Sequence, residues 1–234
     1  MKFLLFITIL LFASTASAQM SSSELLEEVL NQLEIKVENV EMRFLSEMVI
    51  SDSEAILVFP EIAEQGEQYA IYHSHVLIVD RNDGSIKSRF SRKEEWFSDA
   101  IGIEAIEILF EPYQISNEYK VFGILIDYYV QSRANPYSSK NLSLFIIKED
   151  TLERVLNDYI IYQYRGETNG TGDGEFEEII GAIETIKSNQ TLDNLQIIKT
   201  MRKIEFVDGV EEVTETSEST EVLTFKNGQY VQSN

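Results

Sequence analysis

The sequence predicts an all-β protein, a mostly antiparallel meander arranged as a sandwich or an open curled sheet, with one amphipathic helix at its N-terminal end. Three observations carry that expectation. Runs rich in β-branched and aromatic residues recur along the chain, the densest being residues 121–130 and 142–147. Turn formers separate the runs, among them the dipeptides Asp83-Gly84, Asp208-Gly209 and Asn227-Gly228. No strand-helix-strand alternation of the kind that builds a parallel sheet is present. The unequal spacing of the turns gives no support to a propeller or solenoid of fixed period.

Residues 1–18 read as a secretory signal. Lys2 supplies the positive end, residues 3–12 form a short apolar stretch, and Ala16-Ser17-Ala18 places small residues before a cleavage at Gln19. That apolar stretch is too short to span a bilayer, which takes roughly 20 residues. The expected division is therefore a signal over 1–18 and a single β-rich domain over 19–234. After cleavage no segment is expected to insert into a membrane.

Ser21-Ser22-Ser23-Glu24 then leads into Leu25, Leu26, Val29, Leu30 and Leu33, spaced as one face of a helix with a serine cap and acidic first turns. Residues 35–50 alternate loosely and are expected to form one or two strands. From Glu54 onward the pattern is a meander. Strands are expected at 55–59, 69–79 and 86–90, then, after a loop holding Trp96, at 101–115, 119–131, 142–147, 152–156 and 159–164. A Gly-rich loop, residues 166–174, precedes 176–186. The apolar spacing of that segment also fits a helix, but its isoleucines and its β context favour a strand. The last strands flank Asp208-Gly209 and Asn227-Gly228. Residues 211–221, rich in Glu, Thr and Ser, read as an exposed ribbon or a loose loop. No proline is expected to interrupt a central strand.

Composition sets further bounds. There is no cysteine, so an exported form of this chain would fold by packing alone, without disulfides. That suits a bacterial periplasmic or secreted protein. Acidic side chains number 40 against 19 basic ones, giving a formal net charge of −21. Such a charge repels nucleic acid and anionic lipid and favours solubility. The one basic cluster, Lys87, Arg89, Arg92 and Lys93, reads as strand charges that discourage edge pairing.

Several groups are candidate sites. His73 and His75 are the only histidines; at i and i+2 in a strand they share a face and suit Zn²⁺ or copper, with further ligands needed from Asp, Glu or water on neighbouring strands. Two imidazoles side by side on a sheet face are the plainer reading. Asn169, Thr171, Asp173 and Glu175 place oxygen ligands as in part of a Ca²⁺ loop. Asn169 replaces the usual first Asp, however, and Ile180 stands where the bidentate Glu belongs, so a plain surface loop competes. Tyr128, Tyr129, Tyr162 and Tyr164 belong to a tyrosine-rich region that could present rings to a carbohydrate or protein ligand, although tyrosine is also an ordinary strand residue. Phosphate-binding glycine loops, the Gly-x-Ser-x-Gly elbow and His-Glu-x-x-His are all absent. A non-catalytic exported binding or interaction module needing no cofactor is the favoured expectation. The competing one is a secreted enzyme, metal-assisted around His73 and His75 or a two-carboxylate hydrolase.

Overall fold

The computed structural model describes residues 19–130, 132–170 and 172–233. Of these, 65% lie in strands and 8% in helical segments, so the protein is all-β and mostly antiparallel. The signal expected over residues 1–18 lies outside the described residues.

The helix α1 spans Ser22–Leu33. Ser21 caps it, and the Glu24 carboxylate accepts the Ser21 backbone N–H at 2.8 Å, completing a capping box. Leu25, Leu26, Val29 and Leu30 form its buried face. Glu34 ends it in the left-handed region at φ 57°.

The next stretch departs from expectation. Instead of one or two strands, two single 3-10 turns form at Val37–Asn39 and Met42–Phe44, followed by the short strand β1, Ser46–Val49. The Glu41 side chain accepts the Arg43 N–H, and that turn drives Phe44 into the core at 1% exposure. The apolar spacing of this stretch serves turns that alternate between core and water as well as it serves a strand.

The first sheet is a meander of β1, β2 (Glu54–Gln65), β3 (Ala70–Asp80) and β4 (Ile86–Ser98). Both of its faces are covered. Ala55, Leu57, Phe59, Leu77 and Val79 pack under α1, whereas Ile56, Val58, Tyr72, Val76 and Ile78 face the second sheet. Covering on both sides is why these strands read as continuous apolar runs rather than alternating ones. Trp96, expected in a loop, lies in β4 and is buried. Pro60 does sit inside β2. Its carbonyl accepts the Glu41 N–H at 3.1 Å on the side away from β3, so the donor that proline lacks would have faced no strand.

The second sheet holds eight strands in sequence order: β5 (Gly102–Phe110), β6 (Lys120–Val130), β7 (Tyr137–Lys148), β8 (Thr151–Thr168), β9 (Gly174–Ile186), β10 (Asn194–Val207), β11 (Val210–Lys226) and β12 (Gln229–Gln232). Asp208-Gly209 and Asn227-Gly228 each have positive φ at both positions, as two-residue hairpins require. Residues 176–186 are strand, as favoured, and 211–221 are an exposed strand rather than a loop.

One face of β5–β7 packs on the first sheet through Ile106, Ile108, Phe122, Ile124 and Phe145. The opposite face, through Val121, Leu125, Leu142, Leu144 and Ile146, is covered by Leu195, Ile197, Leu223 and Tyr230 of β10–β12. The large sheet therefore curls over itself, and the protein is both sandwich and curled sheet. Gly123 permits the close approach inside the curl, where a Cβ would sit 3.0 Å from Leu142 Cδ1. Beyond this core the far halves of β8–β11 continue as a ribbon whose largest buried side chains are Phe176 and Ile204.

Phe145 stacks on Phe122 at 5.3 Å and meets Phe90 edge-on at 5.2 Å, tying the two sheets together. Phe145→Ala is expected to destabilise the fold by about 3–5 kcal/mol. Urea unfolding should show a lower midpoint with an unchanged m-value.

Candidate functional site

The two histidines lie on the face of β3 that also carries Leu77 and Val79, the helix side. His75 is buried, stacks on Phe59 at 4.9 Å, and places Nε2 2.9 Å from Glu61 Oε2. A carboxylate only accepts, so Nε2 carries the hydrogen and Nδ1 accepts from the Ser91 hydroxyl at 3.0 Å. Burial holds the His75 pKa below its ordinary value. The bond and charge of Glu61 oppose that shift, while His73 and Arg89 add to it. His73 Nδ1 accepts the Glu94 backbone N–H at 3.0 Å. The pair thus shares a face, but protein partners engage both nitrogens of His75 and Nδ1 of His73. Among the described residues no group of three or more His, Cys, Asp or Glu is arranged to hold a metal ion.

A bulge in β4 sets this geometry. Tyr72 pairs with Trp96 and Ser74 with Arg92, so three residues of β4 stand opposite His73. Glu94 takes φ 51° there. The bulge re-aims Glu95 into the inter-sheet space, where it accepts from the Ser74 hydroxyl and the Arg154 guanidinium. Arg154 comes from β8, lies 4.8 Å over the Phe90 ring, and its carbonyl accepts the Gln229 amide. Sequence reading passed over this cluster. Its signal was a lone arginine inside the apolar run Leu152-Glu153-Arg154-Val155-Leu156. The cluster joins β4 to β8 and acts as a clamp between the sheets.

The candidate Ca²⁺ residues fall at the tip of the β8–β9 hairpin, between strands and not between helices. The Asn169 N–H donates to the Asp173 carbonyl at 2.9 Å. Asp173 Oδ1 accepts the Asp208 N–H at 2.9 Å, so this carboxylate braces the neighbouring hairpin. Glu175 is a residue of β9, paired with Glu167 and Glu205. Thr171 lies outside the described residues.

The tyrosines divide by face. Tyr128 points into the core between the sheets, where burial pushes its phenol pKa up. Its neighbour Tyr129 points the other way and is 47% exposed. Strand register lines Tyr129, Ser138, Tyr164, Glu178 and Arg202 in one row, with Asp127, Lys140, Tyr162 and Ile180 in the next. Register thus brings Tyr129, Tyr162 and Tyr164 to one side of the sheet. Tyr164 stacks on Phe176 at 5.4 Å, and Phe176 meets Phe206 at 5.2 Å, so Tyr164 is partly committed to packing.

Tyr128, Tyr129 and Tyr162 border an open cleft of about 280 Å³ with Glu104, Asp127, Ser138, Ser139 and Lys140, Tyr128 reaching it from the core side. Lys140 Nζ lies 2.9 Å from Asp127 Oδ2, and this bond raises the lysine pKa. Asp127 Oδ1 is buried and has no partner among the described residues. Aromatic faces, a hydroxyl, a carboxylate and an ammonium therefore converge on one opening.

Comparison with protein-family models, with curated proteins and with solved structures finds no match to this chain.

Arg154→Met is expected to cost about 3–5 kcal/mol, because it leaves Glu95 charged and unpaired inside the sandwich. Adding Glu95→Gln should recover much of that loss in a double-mutant cycle by urea unfolding. His75 gives a pH dependence of definite sign. The folded state disfavours its protonated form, so the unfolded state binds more protons. Its contribution is present above about pH 6.5 and is lost as pH falls through the depressed folded pKa. His75→Gln should flatten stability against pH in that acidic window relative to the parent chain.

Proposed function

We propose that this protein is an exported, non-catalytic binding module of the periplasm or extracellular space, and that it holds a saccharide on the Tyr129–Tyr162 face. The carrying observation is the cleft itself. Its tyrosine rings offer apolar faces to a sugar ring, and Ser138, Asp127 and Lys140 offer the donors and acceptors that fix hydroxyl groups. The unpartnered Asp127 Oδ1 is an acceptor awaiting a donor. Export is supported by the sequence of residues 1–18. No helix among the described residues is long and apolar enough to cross a membrane.

The test is a thermal-shift screen of the chain against a panel of neutral and acidic oligosaccharides, since a bound ligand raises Tm by mass action. A hit is expected to weaken roughly ten-fold in Tyr162→Ala or Tyr129→Ala, equivalent to about 1.4 kcal/mol per ring. Tyr119→Phe, which lines a different cleft, should leave binding unchanged. A panel without any hit defeats the saccharide reading. Slow release of reducing sugar from the bound ligand would instead favour a hydrolase using Glu104 and Asp127.

A further inference from the structure

We propose that the outer edge of β11 over residues 210–221 is a strand-addition site for an extended, basic segment of another protein. The site is separate from the tyrosine cleft and does not depend on the saccharide reading.

β10 pairs with β11 along the inner side from Val210 to Leu223. On the outer side β12 pairs only from Leu223 to Lys226, and the Ser233 N–H reaches the Val222 carbonyl at 2.9 Å. No other described strand pairs with the outer side of residues 210–221. In an antiparallel sheet alternate residues of such an edge turn both N–H and C=O outward, a template about 40 Å long at the rise of a strand.

Other edges are blunted in the usual ways. β1 and β12 have four residues each. β4 carries Lys87, Arg89, Arg92 and Lys93 and is broken by the bulge at Glu94. β5 has a register shift between Ile103 and Ala105. The free part of β11 is long, has no proline, and has one irregularity, beside Thr214. Its Val, Thr and Ser side chains suit a strand with neighbours on both sides. From 210 to 220 every residue except Ser217 is exposed.

Charge identifies the occupant. Glu211, Glu212, Glu215, Glu218 and Glu221 line this segment, and it holds no Lys, Arg or His. Glu221 is occupied by Lys199 at 2.5 Å and Glu215 by Lys203 at 2.6 Å, both from β10. Glu211, Glu212 and Glu218 form no ion pair among the described residues. A second copy of this edge would set glutamate against glutamate, which disfavours pairing. An incoming strand with Lys or Arg at alternate positions places opposite charges across from them. Backbone bonds then supply affinity, and the acidic row supplies choice of partner and direction of approach.

The experiment uses the full chain and a fluorescent peptide of about ten residues that alternates Lys and Val. Fluorescence anisotropy should show binding that weakens with salt between about 0.05 M and about 0.5 M NaCl. Two peptides of the same charge, N-methylated on the odd or on the even residues, separate strand addition from simple attraction. Methylation in one register is expected to weaken binding at least about ten-fold. Hydrogen exchange should show new protection within residues 210–221. Glu211→Lys/Glu212→Lys/Glu218→Lys, with its fold checked by circular dichroism, should abolish binding. Tyr129→Ala/Tyr162→Ala should bind the peptide as the parent does, which keeps this test apart from that of the cleft. Absence of binding, equal binding of both methylated peptides, or protection confined to other strands overturns the proposal. Sedimentation of the free protein as a dimer with residues 210–221 already protected overturns it in favour of a second copy.

Discussion

The fold depends on the curl of the eight-stranded sheet. Antiparallel strands twist in a fixed hand, and over eight sequential strands the twist accumulates until the sheet cannot stay flat. Here the accumulated twist brings β10–β12 over the face of β6 and β7 that the first sheet does not cover. Leu142 and Leu144, fully buried in that space, would otherwise face water. Leu125, Leu195, Ile197, Leu223 and Tyr230 close around them, and the Tyr230 hydroxyl donates to the Asp193 carbonyl at 2.6 Å, fastening the last strand to the turn before β10. Closure needs flexibility in register as well as twist. The shifts in the β7–β8 pairing near Asn141 and Leu144 supply it, and they let Tyr159 and Tyr162 both serve the concave side.

The same device solves a second problem, the joint between the sheets. Two apolar faces packed together fix separation but fix rotation weakly. The β4 bulge turns Glu95 inward to meet Arg154, and one charged contact with a preferred geometry then sets where β8 lies against β4. Removing two charges from water is costly, so the pair is weak evidence for stability and better evidence for specificity of docking. Phe90 lies under the guanidinium and spreads its charge over an aromatic face, and Ser74 takes the second carboxylate oxygen. Both oxygens of the Glu95 carboxylate thus have a partner.

What the sequence made legible follows from which signals are local. The helix was readable because its cap, first-turn acid and apolar stripe all lie within residues 21–33. The hairpins at Asp208-Gly209 and Asn227-Gly228 were readable because two successive positive φ values restrict the residues allowed. The partition into two sheets was not readable. The turn after Ser98 looks like every other turn, yet pairing stops there and a new sheet begins. Residues 35–50 misled because apolar spacing alone does not separate turns that dip into a core from a strand. The Glu95–Arg154 contact joins residues 59 apart in sequence, and no local pattern announces it. At the cleft the tyrosines were visible, but alternation alone left open which of Tyr128 and Tyr129 meets water. The pairing of β6 with β7 decides it.

The ribbon formed by the far halves of β8–β11 breaks the rules that the core obeys. Glu167, Glu175, Glu205 and Glu212 stand directly opposite one another across four strands, an arrangement that repels. The next row inward alternates sign, with Arg165, Glu177, Lys203 and Glu215 in register, and Arg165 holds Glu177 at 2.6 Å. The tip is therefore not held together by its charges. It is held by the backbone ladder and by Tyr164, Phe176 and Phe206 on the opposite face. A strand pair that carries like charges without opening must draw on that aromatic packing. The packing in turn leaves the acidic face hydrated and the outer edge of β11 extended. Stability stored on one face thus maintains a charged, unpaired edge that the chain's own strands do not complete.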